Sequence, residues 1–260
     1  MAESPLLDPP PSLCDLAADG PLALFLDFDG TLVEIAATPD GIAVPDRLGD
    51  RLFALAGRLE GRLALVSGRA IPDLERHLGP LRVARAGSHG AARERADGSL
   101  LGALAEALPQ AAIDGLRNFA AAHGFALEEK QHGAALHYRA RPELEPHGVR
   151  FAEDLARSHA LEVKRGKSVI ELVRPGASKA GAVRAFLQEP PFAGARPVFI
   201  GDDITDEDGF AAAAEAGGFG ILVGDRRPTA ARYQLADPAA VHDWLGLQGG
   251  NFPGGVSLVQ

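Results

Sequence analysis

The stretch from Pro21 to Leu32 constrains this chain more than any other. Its apolar run, Leu22 to Leu26, has the length and composition of a central strand buried on both faces. The run stops at Asp27, and Asp29 follows two residues later. Gly30 then allows a turn that a side chain obstructs. Carboxylates at i and i+2 point to the same side of an extended strand end, where together they attract a divalent cation. Asp and Gly also build plain solvated turns. Two carboxylates set directly behind a buried strand favour the cation, because open parallel α/β sheets place their ligands at strand C-termini.

A chain of 260 residues can hold one large domain or two modest ones. Its net charge of −9 argues against a nucleic-acid partner, which wants a basic surface. It does not exclude a phosphorylated substrate, for which local Arg, Lys or a metal supplies positive charge. A single cysteine, Cys14, rules out an intrachain disulfide and a Cys-rich metal site, and fits a reducing compartment. The N-terminus lacks the basic start and apolar core of a signal peptide. No stretch approaches the ~20 apolar residues of a membrane span. A cytoplasmic protein with no membrane partner is expected.

Residues 1–20 read as a Pro-rich tail that docks late or stays mobile. After the opening strand and a loop from Thr38 to Pro45, Leu48, Leu52, Leu55 and Leu59 recur at helical spacing. Strands are expected at Arg62–Val66 and Leu81–Ala86, with a short helix between them around Ile71 to Leu78. This alternation is that of a Rossmann-like, doubly wound parallel sheet. The rhythm then changes: helix from about Pro109, strands Ala126–Lys130 and Ala134–Arg139, helix Glu143–Ser158, and a hairpin of Leu161–Lys164 with Ser168–Val173. That is an αββαββ, α+β unit inserted into the α/β chain. The expected division is therefore a tail at 1–20, a core at 21–108 and 175–248, and an inserted cap at 109–174. The core resumes with a helix capped by Ser178 and carrying Lys179, a strand Pro197–Ile200, an Ala-rich helix, a strand Gly220–Val223 and a closing helix near Val241–Leu247. Residues 249–255 are expected to fray.

Four strand ends carry polar clusters: Asp27/Asp29, Ser67/Arg69, Ser88/His89 and Asp202/Asp203/Asp206. In a parallel sheet these ends share one edge, so distant residues meet at one mouth. Asp27, Asp29 and Asp202 concentrate negative charge there, and oxygen-only ligation favours Mg²⁺ over a transition metal. Asp203 and Asp206 either cap the next helix or support the ligands from behind. His89, His132 and His137 read as structural histidines, and Arg69 contacts either substrate or a nearby carboxylate.

These motifs resemble those of the haloacid dehalogenase superfamily of phosphatases. Asp27 to Thr31 is similar to its first motif, Ser67 to its second, Lys179 to its third and Gly201 to Asp203 to its fourth. The ordered set resembles more closely the trehalose-6-phosphate phosphatase family. It comprises Asp27 to Leu32, Ser67 to Arg69, Gly87 to Gly90, Leu136 to Arg139, Gly166 to Glu171 and Gly201 to Glu207, spread over residues 20–247. Ser88, where a larger residue is expected, and Ala180, where glycine is usual, depart from the pattern without removing a functional group.

The resemblance implies an aspartyl-phosphate mechanism: Asp27 attacks phosphorus, and Asp29 protonates the leaving sugar oxygen and later activates water. It implies Mg²⁺ held by Asp27, Asp202 and the backbone carbonyl of Asp29, with Lys179 and Ser67 on the phosphate oxygens. The cap is then the place for sugar recognition, with Glu128, Lys130, Arg139, Lys167 and Glu171 as the expected contacts beside Arg69. Alternating charges such as Glu128/Lys130 and Lys167/Glu171 otherwise mark only the solvated side of a sheet. The implied substrate is trehalose 6-phosphate, with a functional link to a trehalose-6-phosphate synthase. A phosphatase for another sugar phosphate, such as sucrose 6-phosphate, and a catalytically silent regulatory domain are the rival readings.

Overall fold

The computed structural model describes residues 7–36, 41–102, 106–130, 132–166 and 168–248. Lys167, residues 1–6 of the expected tail, part of the loop after Ile35, and the expected frayed end at 249–255 lie outside them.

The opening apolar run forms strand β1 (Leu22–Leu26), and every residue of it is buried. Its alternate side chains feed two cores. Leu22, Leu24 and Leu26 enter one cluster, and Ala23 and Phe25 enter the other. Strands β2 (Leu63–Val66), β9 (Arg196–Gly201) and β10 (Phe219–Val223) divide their side chains in the same way. Continuous hydrophobic runs are what a sheet covered on both faces requires. One face is covered by helices α1 (Leu13–Ala18), α2 (Leu48–Arg58) and α8 (Pro238–Leu245). The other is covered by α6 (Lys179–Leu187) and α7 (Glu207–Glu215).

Strand order is β11-β10-β9-β1-β2-β3-β4, where β3 is Ala84–Gly87, β4 is Ala92–Glu94 and β11 is Tyr233–Leu235. All pairings are parallel except the edge pair β3–β4. The doubly wound α/β expectation therefore holds, with one antiparallel edge added. The short helix expected after Ser67-Gly68-Arg69 is α3 (Ile71–Leu78).

The chain before Pro21 is not a loose tail from residue 7 onward. Ser12 caps α1 by accepting the Asp15 N–H, Leu13 and Leu16 pack into the core, and the Trp244 indole donates to the Pro11 carbonyl at 2.8 Å. Six residues and two leucines were too short a pattern to show as a helix.

The inserted unit is α4 (Gln110–His123), β5 (Ala126–Lys130), β6 (Gly133–His137), α5 (Glu145–His159), β7 (Glu162–Gly166) and β8 (Val169–Val173). Its antiparallel sheet runs β5-β6-β8-β7. Leu127, Ala134, Leu136, Ile170, Leu172 and Val163 pack with α4 and α5 in a third cluster. The opposite face carries a row set by register: Glu128 pairs Ala135, Ala135 pairs Glu171, and Glu171 pairs Lys164. The expected strand to Arg139 ends two residues early, so Arg139 is exposed in the following turn. Among the described residues no helix is long and apolar enough to cross a membrane.

Candidate active site

Because β1, β2 and β9 are parallel neighbours, their C-terminal ends deliver Asp27, Ser67 and Asp202 to one edge. The Asp27 N–H donates to the Ile200 carbonyl at 2.9 Å, which continues the β1–β9 ladder into the site. Asp27, Ser67, Lys179 and Asp206 are all buried. Lys179 opens α6 behind the Ser178 cap, whose hydroxyl accepts the Gly181 N–H at 3.0 Å. Its ammonium sits 2.9 Å from Asp27 Oδ1 and 2.5 Å from Asp206 Oδ1. It is thus a buried cation between two carboxylates rather than a solvated helix lysine. Burial opposes its charge, and Asp206 and Asp27 outweigh burial, so its pKa is raised.

Asp206 is occupied on every side. Its second oxygen accepts the backbone N–H groups of Asp202 (3.0 Å) and Asp203 (2.9 Å). The Asp203 side chain accepts the Asp206 N–H in return, a reciprocal cap on the turn that leads into α7. Asp203 is therefore a capping residue, and Asp206 both caps and holds Lys179. Arg226 fixes the same turn, donating to the carbonyls of Asp202 and Asp203 at 3.2 Å each and to Glu207.

Oxygens of Asp27, Asp202 and Asp206 lie within 4.8 Å of one another. Burial first, then the Asp206 charge, pushes Asp202 up to about 7. Burial likewise pushes Asp27 upward against the pull of Lys179. Gly30, at φ +78°, admits this arrangement, because a Cβ there would stand 2.2 Å from Asp202 Oδ2. Hard oxygen donors that repel one another at this spacing fit a divalent cation. Asp27 and Asp202 keep more free oxygen lone pairs for it than Asp206, which already accepts from three donors.

Asp29 does not bring its carboxylate into this cluster. Both oxygens accept from Arg69, at 2.6 and 2.7 Å, in a bidentate pair. Arg69 also donates to Asp73 at 2.7 Å and lies over the Phe28 ring at 5.7 Å. The Arg69 guanidinium thus pairs with Asp29 and Asp73 in this structure. The Ser67 hydroxyl accepts the Arg69 N–H at 3.1 Å, which leaves its own proton to donate.

The cap sheet faces this edge through its charged row. Lys130 and His89 bind the two oxygens of Glu171, at 2.7 and 3.0 Å. Glu128 pairs with His137 at 2.8 Å, and Lys164 reaches Asp208 of the core at 3.3 Å. Between cap and core lies a cavity of about 280 Å³ whose walls include His89, Lys164, Ser178, Lys179, Thr205 and Asp208. The structure brings together Asp27, Ser67, Lys179, Asp202 and Asp206, and sets Glu171 and Lys130 across from them. Arg139 lies exposed in the turn after β6. Sequence reasoning missed Arg226 and Lys164. Arg226 follows the end of β10, a fifth polar strand end of the kind already used, and Lys164 shares the alternation of Glu171.

A doubly wound sheet carrying paired aspartates after its central strand, a buried lysine and an acidic fourth strand end defines a phosphatase of the haloacid dehalogenase type. A haloacid dehalogenase-like hydrolase from Bacteroides thetaiotaomicron shares the fold, at TM-score 0.62 and 17% identity over 87% of this chain and 98% of that one. The chain belongs to the trehalose-phosphatase family, whose model matches residues 25–239. It is 38% identical over 226 residues to the trehalose-6-phosphate phosphatase of Escherichia coli K12, covering 86% of this chain and 85% of that protein. The C-terminal domain of the Candida albicans trehalose-6-phosphate phosphatase superposes at TM-score 0.76 with 24% identity, covering 94% and 98% of the two chains.

Proposed function

We propose that this chain hydrolyses trehalose 6-phosphate to trehalose and phosphate, with Asp27 as nucleophile. The observation that carries this reading is the Asp27–Lys179–Asp206 constellation, buried at the end of β1 opposite Asp202. Lys179 favours the ionised form of Asp27, the form that attacks, although burial outweighs it in the empty site, and it offers positive charge to the phosphate oxygens. Ser67 adds its hydroxyl proton to those oxygens. Asp29 donates a proton to the departing sugar oxygen and afterwards takes one from the hydrolytic water. In this structure Arg69 holds both of its oxygens, so either role requires the Asp29 carboxylate to leave that pair and turn toward Asp27. Asp27, Asp202 and the Asp29 main-chain carbonyl are the expected holders of Mg²⁺, which when bound neutralises charge on the phosphate oxygens.

Substrate choice falls to the cap. Glu128, Lys130 and Glu171 present donors and acceptors on the face opposite α4 and α5, the pairing that sugar hydroxyls need. Arg139 and Lys167 are proposed to add to them. Such a site rejects a sugar lacking the matching hydroxyl, since its own buried polar groups are then left unpaired.

The test is phosphate release with Mg²⁺ from trehalose, sucrose and glucose 6-phosphates, with Asp27→Asn as the blank. Preference for the trehalose ester supports both halves of the reading. Turnover of another ester keeps the chemistry and overturns the cap assignment. Turnover of none by a folded protein that binds Mg²⁺ favours a silent regulatory domain.

A further inference from the structure

His89 is the core side chain that meets Glu171 in the charged row of the cap, beside the contact of Asp208 with Lys164. Its backbone sits in the left-handed region at φ 54°, next to Ser88 at φ 49°. A non-glycine residue is disfavoured there and persists only where its surroundings over-determine it. Those surroundings are two main-chain bonds to the motif loop of β2. The His89 N–H donates to the Ser67 carbonyl at 2.9 Å, and the Ser88 N–H donates to the Arg69 carbonyl at 2.8 Å. The imidazole lies over Gly68, where a Cβ would approach its Cε1 to 2.6 Å. The glycine between Ser67 and Arg69 therefore clears the space that the ring occupies.

From that seat Nε2 reaches Glu171 at 3.0 Å. Nδ1 is buried and, among the described residues, has no hydrogen-bond partner. Burial opposes ionisation of Glu171, yet His89 and then Lys130 outweigh it and hold the carboxyl at about 2.

We infer that His89 is a specificity-determining positioning residue, registering the cap carboxylate Glu171 to Ser67 and so to the phosphate site. The inference rests on the proposed role of Glu171 in sugar recognition. Lys130 belongs to the same sheet as Glu171 and moves with it, so it sets no distance between cap and core. His89 does, because its main chain is bonded to Ser67 itself. Its loss falls on sugar binding more than on phosphoryl transfer, which Asp27, Lys179 and Asp202 carry.

The experiment compares His89→Ala, His89→Gln, Glu171→Ala and the His89→Ala/Glu171→Ala double variant on trehalose 6-phosphate and on p-nitrophenyl phosphate, with Mg²⁺. For His89→Ala, KM for the sugar ester is expected to rise about tenfold or more with kcat changed less than about threefold. The loss on the aryl ester should be several-fold smaller. His89→Gln keeps a donor at similar reach and should recover most of the KM. The double variant should lose little beyond Glu171→Ala, since coupled residues are not additive. Equal losses on both esters, no rescue by Gln, or additivity with Glu171→Ala overturns the inference. If Glu171→Ala discriminates between the esters while His89→Ala does not, only this inference fails. If Glu171→Ala itself loses both esters alike, the recognition role of Glu171 fails and takes the inference with it.

Discussion

Replacing Lys179 by Met keeps the length and apolar stem of the side chain and deletes only its charge, so packing loss is small. What remains is Asp27 and Asp206, both buried, with the cation between them removed. Breaking a buried ion pair by removing one partner costs about 3–5 kcal/mol, because the other charge is left uncompensated. For a chain of this size, about 2–4 °C is lost per kcal/mol, so Tm should fall by about 6–20 °C. Two double variants test whether this loss comes from orphaned charge. Adding Asp27→Asn neutralises one orphan and should restore part of the Tm. Adding Asp208→Asn, at an exposed position, should restore none. Thermal melts at pH 7 in EDTA read the stability, and phosphate release reads activity, which should drop at least about 10²–10³-fold in kcat. A Tm within about 2 °C of the parent, or identical behaviour of the two double variants, refutes the buried-cation account.

Three further outcomes follow from the same geometry. Glu171 is held at about 2 against its ordinary 4.5, so the unfolded chain binds more protons there than the folded one between those values. That stability is present above about pH 4.5 and is lost toward pH 2. At about 1.36 kcal/mol for each tenfold, it amounts to about 3 kcal/mol, and Glu171→Gln should flatten the acid limb of a Tm–pH curve. Asp202 is shifted the other way, to about 7, so in EDTA its contribution falls as pH rises from about 4 to about 7. Added Mg²⁺ should raise Tm increasingly across that window, and Asp202→Asn should diminish both effects, with Asp27 leaving a remainder. Arg226→Met frees the carbonyls of Asp202 and Asp203 and should weaken Mg²⁺ binding by about 10–100-fold in calorimetry.

The core sheet was legible because its central strands are continuous apolar runs, each ending on a polar cluster, as β1, β2 and β9 show. The edge strands β4 and β11 were not. Three half-buried residues each, Ala92–Glu94 and Tyr233–Leu235, leave no run or alternation to read. In the cap, the period of two put Glu128 and Lys130 on one face, and only the strand register adds Glu171 to that face. It overran at Arg139, where the chain turns although the alternation continues for two more residues. Lys179 shows the deeper limit. A lysine at the start of an Ala-rich helix is ordinarily solvated, and only the convergence of β1 and the β9–α7 turn, far away in sequence, buries it.

Asp203 and Asp206 explain why local and functional readings of one segment need not compete. An acidic pair after a buried strand caps the next helix, and that expectation is met in full by the reciprocal bonds between them. Capping consumes one oxygen of Asp206 on the main chain of Asp202 and Asp203. It thereby orients the other oxygen toward Lys179 at 2.5 Å, while the same N–H bond fixes the turn from which Asp202 faces Asp27. Folding the start of α7 and assembling the phosphate site are therefore one event. Asp206→Asn should then be more damaging than an ordinary cap replacement, which costs about 0.5–2 kcal/mol. It weakens the Asp202 turn and the hold on Lys179 together. A variant that lost only cap-scale stability and kept its turnover would separate the two roles and contradict this coupling.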